Sequence, residues 1–178
     1  MVRFNPKTEQ IKRYLNDPAD RYSYSGKITR DVFMDSSGVV WIGTDEGGLN
    51  VYDYERDRFL SFQHVEGKLG AISSNSIRRI YEDNSGDLWV GTYPSGVNFH
   101  DRSTAAITVY SHDGDPKTSL MGDAVEAVVE DHEGNIWIGS GGVTKFNRKD
   151  DTLTHYKKTD GADTRINSTA IISGFVDS

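Results

Sequence analysis

Asp83-Asn-Ser-Gly-Asp-Leu-Trp89-Val-Gly-Thr92 is one of three copies of the same short stretch in this chain. The other copies are Asp35-Ser-Ser-Gly-Val-Val-Trp41-Ile-Gly-Thr44 and Asp131-His-Glu-Gly-Asn-Ile-Trp137-Ile-Gly-Ser140. Their tryptophans are 48 residues apart. A fixed period of this length indicates a repeat architecture, in which each repeat packs against its neighbours.

The repeat extends well beyond the tryptophan. An Asp or Asn and then an aromatic residue follow each copy, and the same pair also stands near the N-terminus without a preceding tryptophan. These pairs are Asn5 and Tyr14, Asp53 and Phe62, Asp101 and Tyr110, and Asn147 and Tyr156. At the C-terminus, Ile171 to Asp177 repeats the step from Ile77 to Asp83. The sequence therefore contains three full repeats flanked by two partial ones.

Composition excludes several classes of function. The 178 residues carry 27 acidic against 20 basic side chains, a formal charge of −7, so the chain lacks the basic surface that phosphate contacts require and a nucleic-acid partner is not expected. Cysteine is absent, which excludes a thiolate nucleophile, a cysteine-ligated zinc site and disulfides. No window of 18 apolar residues occurs, so we expect no direct membrane insertion by this chain.

Each repeat predicts four short strands, and no stretch has helical periodicity. In the second copy the strands begin near Ile77, Asp87, Gly96 and Ile107, and Gly, Asp, Asn and Pro separate them. Four-stranded antiparallel units at this period are typical of propeller blades. The predicted fold is an all-β β-propeller fragment with about 48 residues per blade. Its divisions are the end of a blade at 1–27, blades at 28–76, 77–124 and 125–170, and a first strand of a further blade at 171–178.

The turn aspartates and the tryptophans are interpreted as structural. An Asp side chain can accept hydrogen bonds from amides two residues on, and the following Gly can adopt the positive φ that closes a hairpin. A calcium loop would need oxygen ligands at alternate positions, a pattern that these turns do not keep. Each indole is expected to fill the space between neighbouring sheets, and the Gly two residues later, as at Gly43, Gly91 and Gly139, permits close backbone approach.

The complete pattern resembles the two-component regulator propeller repeat. The pattern runs from Ile77 through Asp83, Gly86 and Trp89 to the closing Tyr110. The third copy matches as closely except for a shortened turn after Ser140, and the first copy matches nearly as well. The resemblance implies an extracytoplasmic sensor propeller, placed ahead of a membrane span and a histidine kinase or GGDEF-type diguanylate cyclase output. Neither the span nor the output lies in this chain.

No set of residues predicts catalysis, a metal site or a cofactor. The five histidines do not have the helical spacing of a metal site; they are His64, His100, His112, His132 and His155. The recurrence of Glu-Asp at one repeat position indicates turn structure rather than an acid–base pair. Sialidase-like and streptogramin-lyase-like propellers are enzymatic alternatives, but the residues that either chemistry needs are not identifiable.

Charged residues at the start of the first strand of each blade are the candidate ligand site, because this strand lines the central channel of a propeller. One level contains Arg30, Arg78 and Glu126, and the next contains Asp31, Arg79 and Ala127. The predicted ligand-binding residues are Arg30, Arg78, Arg79, Glu126 and Tyr93. They either bind a small polar ligand such as a sugar or a carboxylate, with Tyr93 as a stacking surface, or form ion pairs between blades.

Strand counting bears on association. Twelve strands from full repeats, two from the N-terminal piece and one from the C-terminal piece make fifteen, one short of four blades. Closure into a four-bladed ring is disfavoured, because the end strands would be two spacings apart, nearly 10 Å. Exposed edge strands associate readily, so we expect self-association, most simply as a two-fold dimer of about eight blades.

The leading functional hypothesis is a non-catalytic, ligand-sensing propeller segment of a bacterial membrane signalling protein. It is expected in the periplasmic or extracellular portion of an inner-membrane protein. The alternative is a structural or protein-interaction scaffold without a ligand site of its own. An enzymatic propeller is a more distant third. The long connections at 63–76, 112–124 and 157–170 are either recognition loops or plain solvated loops.

Overall fold

A computed structural model describes residues 1–115, 119–158 and 171–175. Within these ranges the regular secondary structure consists of β-strands, with no helix. The strands are β1 Val2–Asn5, β2 Gln10–Arg13, β3 Ile28–Met34, β4 Val40–Asp45, β5 Leu49–Asp53, β6 Arg58–Phe62, β7 Ser76–Glu82, β8 Leu88–Tyr93, β9 Val97–Asp101, β10 Ala106–Tyr110, β11 Ala127–Glu130, β12 Ile136–Gly139, β13 Val143–Asn147 and β14 Thr152–Tyr156.

The strands form three four-stranded antiparallel sheets, in which each strand pairs with its neighbours along the chain. We name them the first sheet (β3–β6), the second sheet (β7–β10) and the third sheet (β11–β14). The strands β1 and β2 form a separate N-terminal hairpin. The tryptophan lies on the second strand of each sheet. The predicted all-β fold of four-stranded antiparallel propeller blades is confirmed.

The structural role of the turn aspartate is confirmed. In the first sheet, one oxygen of Asp35 accepts hydrogen bonds from the amides of Ser37 at 3.0 Å and Val39 at 2.9 Å. The other oxygen accepts one from the Trp41 indole at 2.8 Å. Gly38 closes the turn with a φ of 85°. Each turn carboxylate therefore satisfies the backbone of its own hairpin and orients the indole that follows it.

Glycine brings successive sheets into close contact. A Cβ atom on Gly43 would lie 2.6 Å from Cγ2 of Ile77, and one on Gly91 would lie 2.7 Å from Cγ1 of Val125. Neither space admits a side chain. The Cγ2 atom of Ile171 meets Gly139 in the same way, at 2.7 Å. The first strand predicted at 171–178 stays a prediction, since 171–175 form no paired strand and 176–178 lie outside the described residues.

Carboxylates on the first strand of a sheet bind the turn of the preceding sheet. Glu82 accepts hydrogen bonds from the Ser36 amide at 2.6 Å and the Ser36 hydroxyl at 2.8 Å. Glu130 accepts one from the Asn84 amide at 2.6 Å. The recurrent Glu of the sequence therefore joins neighbouring sheets.

Arginines after the third strand make a second connection of this kind. A guanidinium nitrogen of Arg102 lies 2.6 Å from a carboxylate oxygen of Asp35 in the preceding sheet. Arg148 similarly reaches Asp83 at 2.9 Å and Asp87 at 3.1 Å. Because the Asp35 and Asp83 side chains are only 1% and 0% exposed, these arginines supply charge to carboxylates that water hardly reaches.

Candidate functional site

The charged residues at the start of β3 and β7 lie at β-bulges. The pairing with the second strand shifts register between Thr29 and Asp31 in β3, and between Ile77 and Arg79 in β7. A bulge places two consecutive residues opposite one partner. We call the level of Arg30, Arg78 and Glu126 the outer level, and that of Asp31 and Arg79 the inner level. The two levels have different surroundings.

The outer level begins with an ion pair within the first sheet. Arg30 contacts Asp45, with its Nε 3.2 Å from the carboxylate oxygen. The Ser76 hydroxyl of the second sheet donates to the other oxygen of Asp45 at 3.0 Å. The Arg30 guanidinium and then the Ser76 hydroxyl lower the pKa of Asp45 below its usual value. Asp45 is therefore an anion that joins the two sheets.

Arg78 is the centre of the outer level. Its Nε lies 3.9 Å from a carboxylate oxygen of Glu126 in the preceding connection to β11, which is beyond hydrogen-bond distance. Its guanidinium lies 5.2 Å from the centre of the Tyr93 ring, within the range of a cation–π contact. The Nε atom is buried and has no hydrogen-bond partner among the described residues. A buried donor without a partner is uncommon in proteins. The Nε atom of Arg78 can therefore donate a hydrogen bond to an acceptor atom of a ligand.

The inner level lines the space between the first strands of the three sheets. Asp31 lies 3.9 Å from Arg79 of the next sheet and accepts a hydrogen bond from the Ile80 amide at 2.8 Å. A cavity of about 500 Å³ lies beside these residues and also contacts Tyr81 and Glu130. We call it the channel groove, because β3, β7 and β11 form its walls.

The structure thus brings four of the five predicted site residues to one level. We define the charged cluster as Arg30, Asp45, Arg78, Tyr93 and Glu126. Arg79 lies apart from it, in the channel groove. The ligand-binding role of all five stays a prediction. Sequence reasoning missed Asp45, although its position at the end of β4, beside the start of β3, was the available signal.

Two histidines contact the backbone of neighbouring loops. His64 and His112 occupy the same repeat position, and their Nδ1 atoms lie 2.8 Å from the carbonyl oxygens of Ile72 and Leu120 respectively. No group of three metal-ligating side chains occurs in the described ranges. The loop at 157–170 that sequence analysis singled out lies outside them from residue 159 onward.

The model of the two component regulator propeller family matches residues 71–93 and 119–142. The chain is 25% identical to the extracellular domain of a B. thetaiotaomicron protein described as a hybrid two component system, with a TM-score of 0.72 over 83% of this chain and 21% of that one. It is 26% identical to the extracellular domain of a one component system from the same organism, with a TM-score of 0.68 over 86% of this chain and 22% of that one.

A virginiamycin B lyase from Staphylococcus aureus shares only the fold, at 12% identity and a TM-score of 0.54 over 76% of this chain and 42% of that one. No curated protein sequence matches the chain. The described residues include no helix long and apolar enough to cross a membrane. The family match falls on the first two strands of the second and third sheets, where the turn aspartate and the tryptophan lie. Residues 71–93 and 119–142 therefore match the repeat of the two-component regulator propeller family.

Proposed function

We propose that this chain is a non-catalytic segment of an extracytoplasmic sensor propeller in a bacterial membrane signalling protein, and that its charged cluster binds a small polar ligand. The sensor role is supported by the family match and by the two similar extracellular domains. The chain spans about a fifth of the length of those two domains. That such a sensor controls a signalling output is part of the same proposal.

The observation that carries the ligand site is the unpaired Nε of Arg78. Beside it, the Glu126 side chain is 40% exposed and Tyr93 is 48% exposed, so an anionic and an aromatic group are open to solvent around one cation. A ligand carboxylate can hydrogen-bond the arginine, a ligand hydroxyl can donate to the glutamate, and the face of a sugar ring can lie on the tyrosine. The ligand class that fits is a sugar acid.

Titration calorimetry with glucuronate tests this assignment on the wild-type chain and on Arg78→Met. We expect the variant to bind glucuronate at least tenfold more weakly, equivalent to roughly 1.4 kcal/mol. Arg56→Met is the matched control, because the Arg56 side chain is 60% exposed and pairs with Asp53 and Glu55 at the surface. Glucuronate binding that Arg78→Met leaves unchanged, or no binding to the wild type, would count against the site.

The second candidate is a scaffold propeller whose charges serve only to join sheets. It is favoured by the ion pairs Arg30–Asp45 and Asp31–Arg79, which already give these four side chains partners. In that case, Arg78→Met would lower thermal stability through its lost contact with Glu126, and no sugar acid would bind. Comparison of the wild-type chain with Arg78→Met therefore distinguishes the ligand-binding sensor from the scaffold propeller.

A further inference from the structure

Two equivalent interfaces join the three sheets. We call the contact between the first and second sheets the first interface, and that between the second and third sheets the second interface. In the second interface, the Phe146 ring lies 5.9 Å from the centre of Trp89 and 5.4 Å from the centre of Tyr110. An aromatic side chain from β13 therefore fills the space beside the tryptophan of the preceding sheet.

The first interface has a histidine at the position of that phenylalanine. His100 pairs with Leu88 across β8 and β9 as Phe146 pairs with Ile136 across β12 and β13. The equivalent residue of the first sheet, Tyr52, is again aromatic and packs 5.9 Å from Tyr14 of the N-terminal hairpin. His100 is thus the small, polar member of this series.

A cavity of about 510 Å³ lies in the first interface, between Trp41, Phe62 and His100. We call it the interface pocket. The rings of Trp41 and Phe62 are 6.4 Å apart, close to the 6.2 Å between Trp89 and Tyr110. The pair of rings that the first sheet presents therefore has nearly the same spacing as the pair that the second sheet presents. The rest of the apolar wall includes Leu49, Val65, Ile72, Leu88, Val90 and Ile107.

The polar groups of the interface pocket are few and differ from those of the charged cluster. Neither ring nitrogen of His100 has a hydrogen-bond partner among the described residues, whereas His64 and His112 use their Nδ1 atoms to hold loop carbonyls. Lys68 also lines the pocket. A mostly apolar cavity of 300–1,000 Å³ with a small number of polar groups is the usual form of a small-molecule site.

We propose that the interface pocket binds a planar aromatic carboxylate. The aromatic part follows from the second interface, where the Phe146 ring shows that a six-membered ring of the next sheet packs against such a pair of rings. The lining side chains Ser61, Gln63 and Asn98 already donate to other groups of the protein. The carboxylate follows from two further donors of the pocket, the His100 imidazole and the Lys68 ammonium. Stacking against Trp41 and Phe62 supplies apolar contact, and the histidine fixes the orientation of the ring.

The test uses 2-naphthoate as the probe and the indole N–H signals of the three tryptophans as the NMR readout. We expect 2-naphthoate to shift the Trp41 indole signal and to leave that of the fully buried Trp89 in place. His100→Phe should abolish the shift, because the new ring would occupy the pocket as Phe146 occupies the second interface. An unchanged Trp41 signal in the wild type, or a shift that persists in His100→Phe, would overturn the proposal.

A second filling variant makes the result independent of how His100→Phe folds. Ile107 lines the pocket from β10, and the equivalent residue of the first sheet is Phe59, so Ile107→Phe introduces a side chain that this fold already accepts at that position. It should weaken 2-naphthoate binding at least tenfold. Binding of 2-naphthoate that Arg78→Met leaves unchanged would separate this site from the charged cluster, so either proposal can fail without the other.

Discussion

The two interfaces between sheets differ in how their central space is filled. Trp89 in the second interface is fully buried, whereas Trp41 in the first is only half-buried and faces the interface pocket. The approach of the backbones is the same in both, since a Cβ atom added to Gly43 would lie 2.6 Å from Ile77 and one added to Gly91 would lie 2.7 Å from Val125. The difference therefore arises from side chains and not from the spacing of the sheets.

This comparison shows how one repeat produces both a core and a cavity. Protein interiors are close-packed, and a missing ring is not recovered by small movements of its surroundings when the backbone is fixed. With the smaller, polar imidazole of His100 in place of a six-membered ring, the walls around Trp41 remain where the glycine contact holds them. We infer that the second interface contributes more to the stability of the fold, and that the first contains a cavity that a ligand can occupy.

Substitution of the tryptophans should have the largest effect on the free energy of unfolding. Trp89→Ala should lower the free energy of unfolding by about 3–5 kcal/mol, because it removes a fully buried ring. Trp41→Ala should cost clearly less, since one side of that ring already faces the interface pocket. Urea unfolding of both variants checks this order. Equal losses would show that the two interfaces are packed alike.

The arginines that connect sheets should have the next largest effect. Arg148→Met removes two contacts to the preceding sheet, at Asp83 and Asp87, and should cost about 2 kcal/mol, the usual value for hydrogen bonds to a charged group. Arg102→Met also removes two contacts, to Asp35 of the preceding sheet and to Glu82 of its own sheet, and should cost a similar amount. Chemical denaturation at low and high salt measures both. A loss that disappears in high salt would contradict contacts to carboxylates buried from solvent.

Exchanging the residue types at Phe146 and His100 should change the stability by smaller amounts and in opposite directions. Phe146→His should destabilise the second interface by about 2 kcal/mol by opening a cavity next to Trp89. His100→Phe should stabilise the first by about 1 kcal/mol by filling one. Thermal unfolding of the two variants and of the double variant tests this. Destabilisation by His100→Phe would show that the interface pocket cannot accept a phenyl ring.

Acid should produce the smallest effect. Burial alone would raise the pKa of Asp131, but hydrogen bonds from the Trp137 indole, the Asn135 side chain and backbone amides lower it to about 2. The usual unfolded value is about 3.9, so this carboxylate stabilises the fold above about pH 4 and loses its contribution as the pH falls through about 2. The Trp137 indole N–H signal should shift with that midpoint. Asp131→Asn should flatten the acid limb of the stability profile, and an unchanged limb would contradict this role.

The same acid titration compares the turns of the first and third sheets. At Asp35, burial again raises the pKa, but hydrogen bonds from Ser37, Trp41, Val39 and Arg102 outweigh it and hold the pKa well below its usual range. Because the arginine adds a positive charge there, the Trp41 indole signal should respond to acid only after that of Trp137. The reverse order would show that Arg102 does not stabilise the ionised carboxylate.

The sequence predicted the parts of the fold that depend on local chemistry. The bonds from Asp35 to its own turn span two to six residues, so a short motif determines them. The contact of Arg102 with Asp35 joins residues 67 positions apart, and no local pattern predicts which arginine reaches the carboxylate. The charged cluster was predicted as a level of the first strands, whereas its dependence on Asp45 required the bulge in β3.

The interface pocket could be predicted only in part. The repeat shows that His100 stands in place of Tyr52 and Phe146, so a smaller and more polar ring replaces a six-membered one. Whether such a departure leaves a cavity depends on the positions of Trp41, Phe62 and the loop after β6, and these positions follow from tertiary packing. The sequence therefore indicates which gap between sheets is unusual, and the tertiary packing determines whether that gap contains a cavity.

The contact of each tryptophan-strand glycine with the next first strand has an evolutionary consequence. Because a glycine fixes the pitch of the array at Gly43, Gly91 and Gly139, the side chains between two neighbouring sheets can be exchanged without changing the pitch elsewhere. Mutation can therefore act on one gap at a time. A propeller of this type offers a row of independently variable slots, in which recognition of a new molecule can begin in one gap while all the others continue to support the fold.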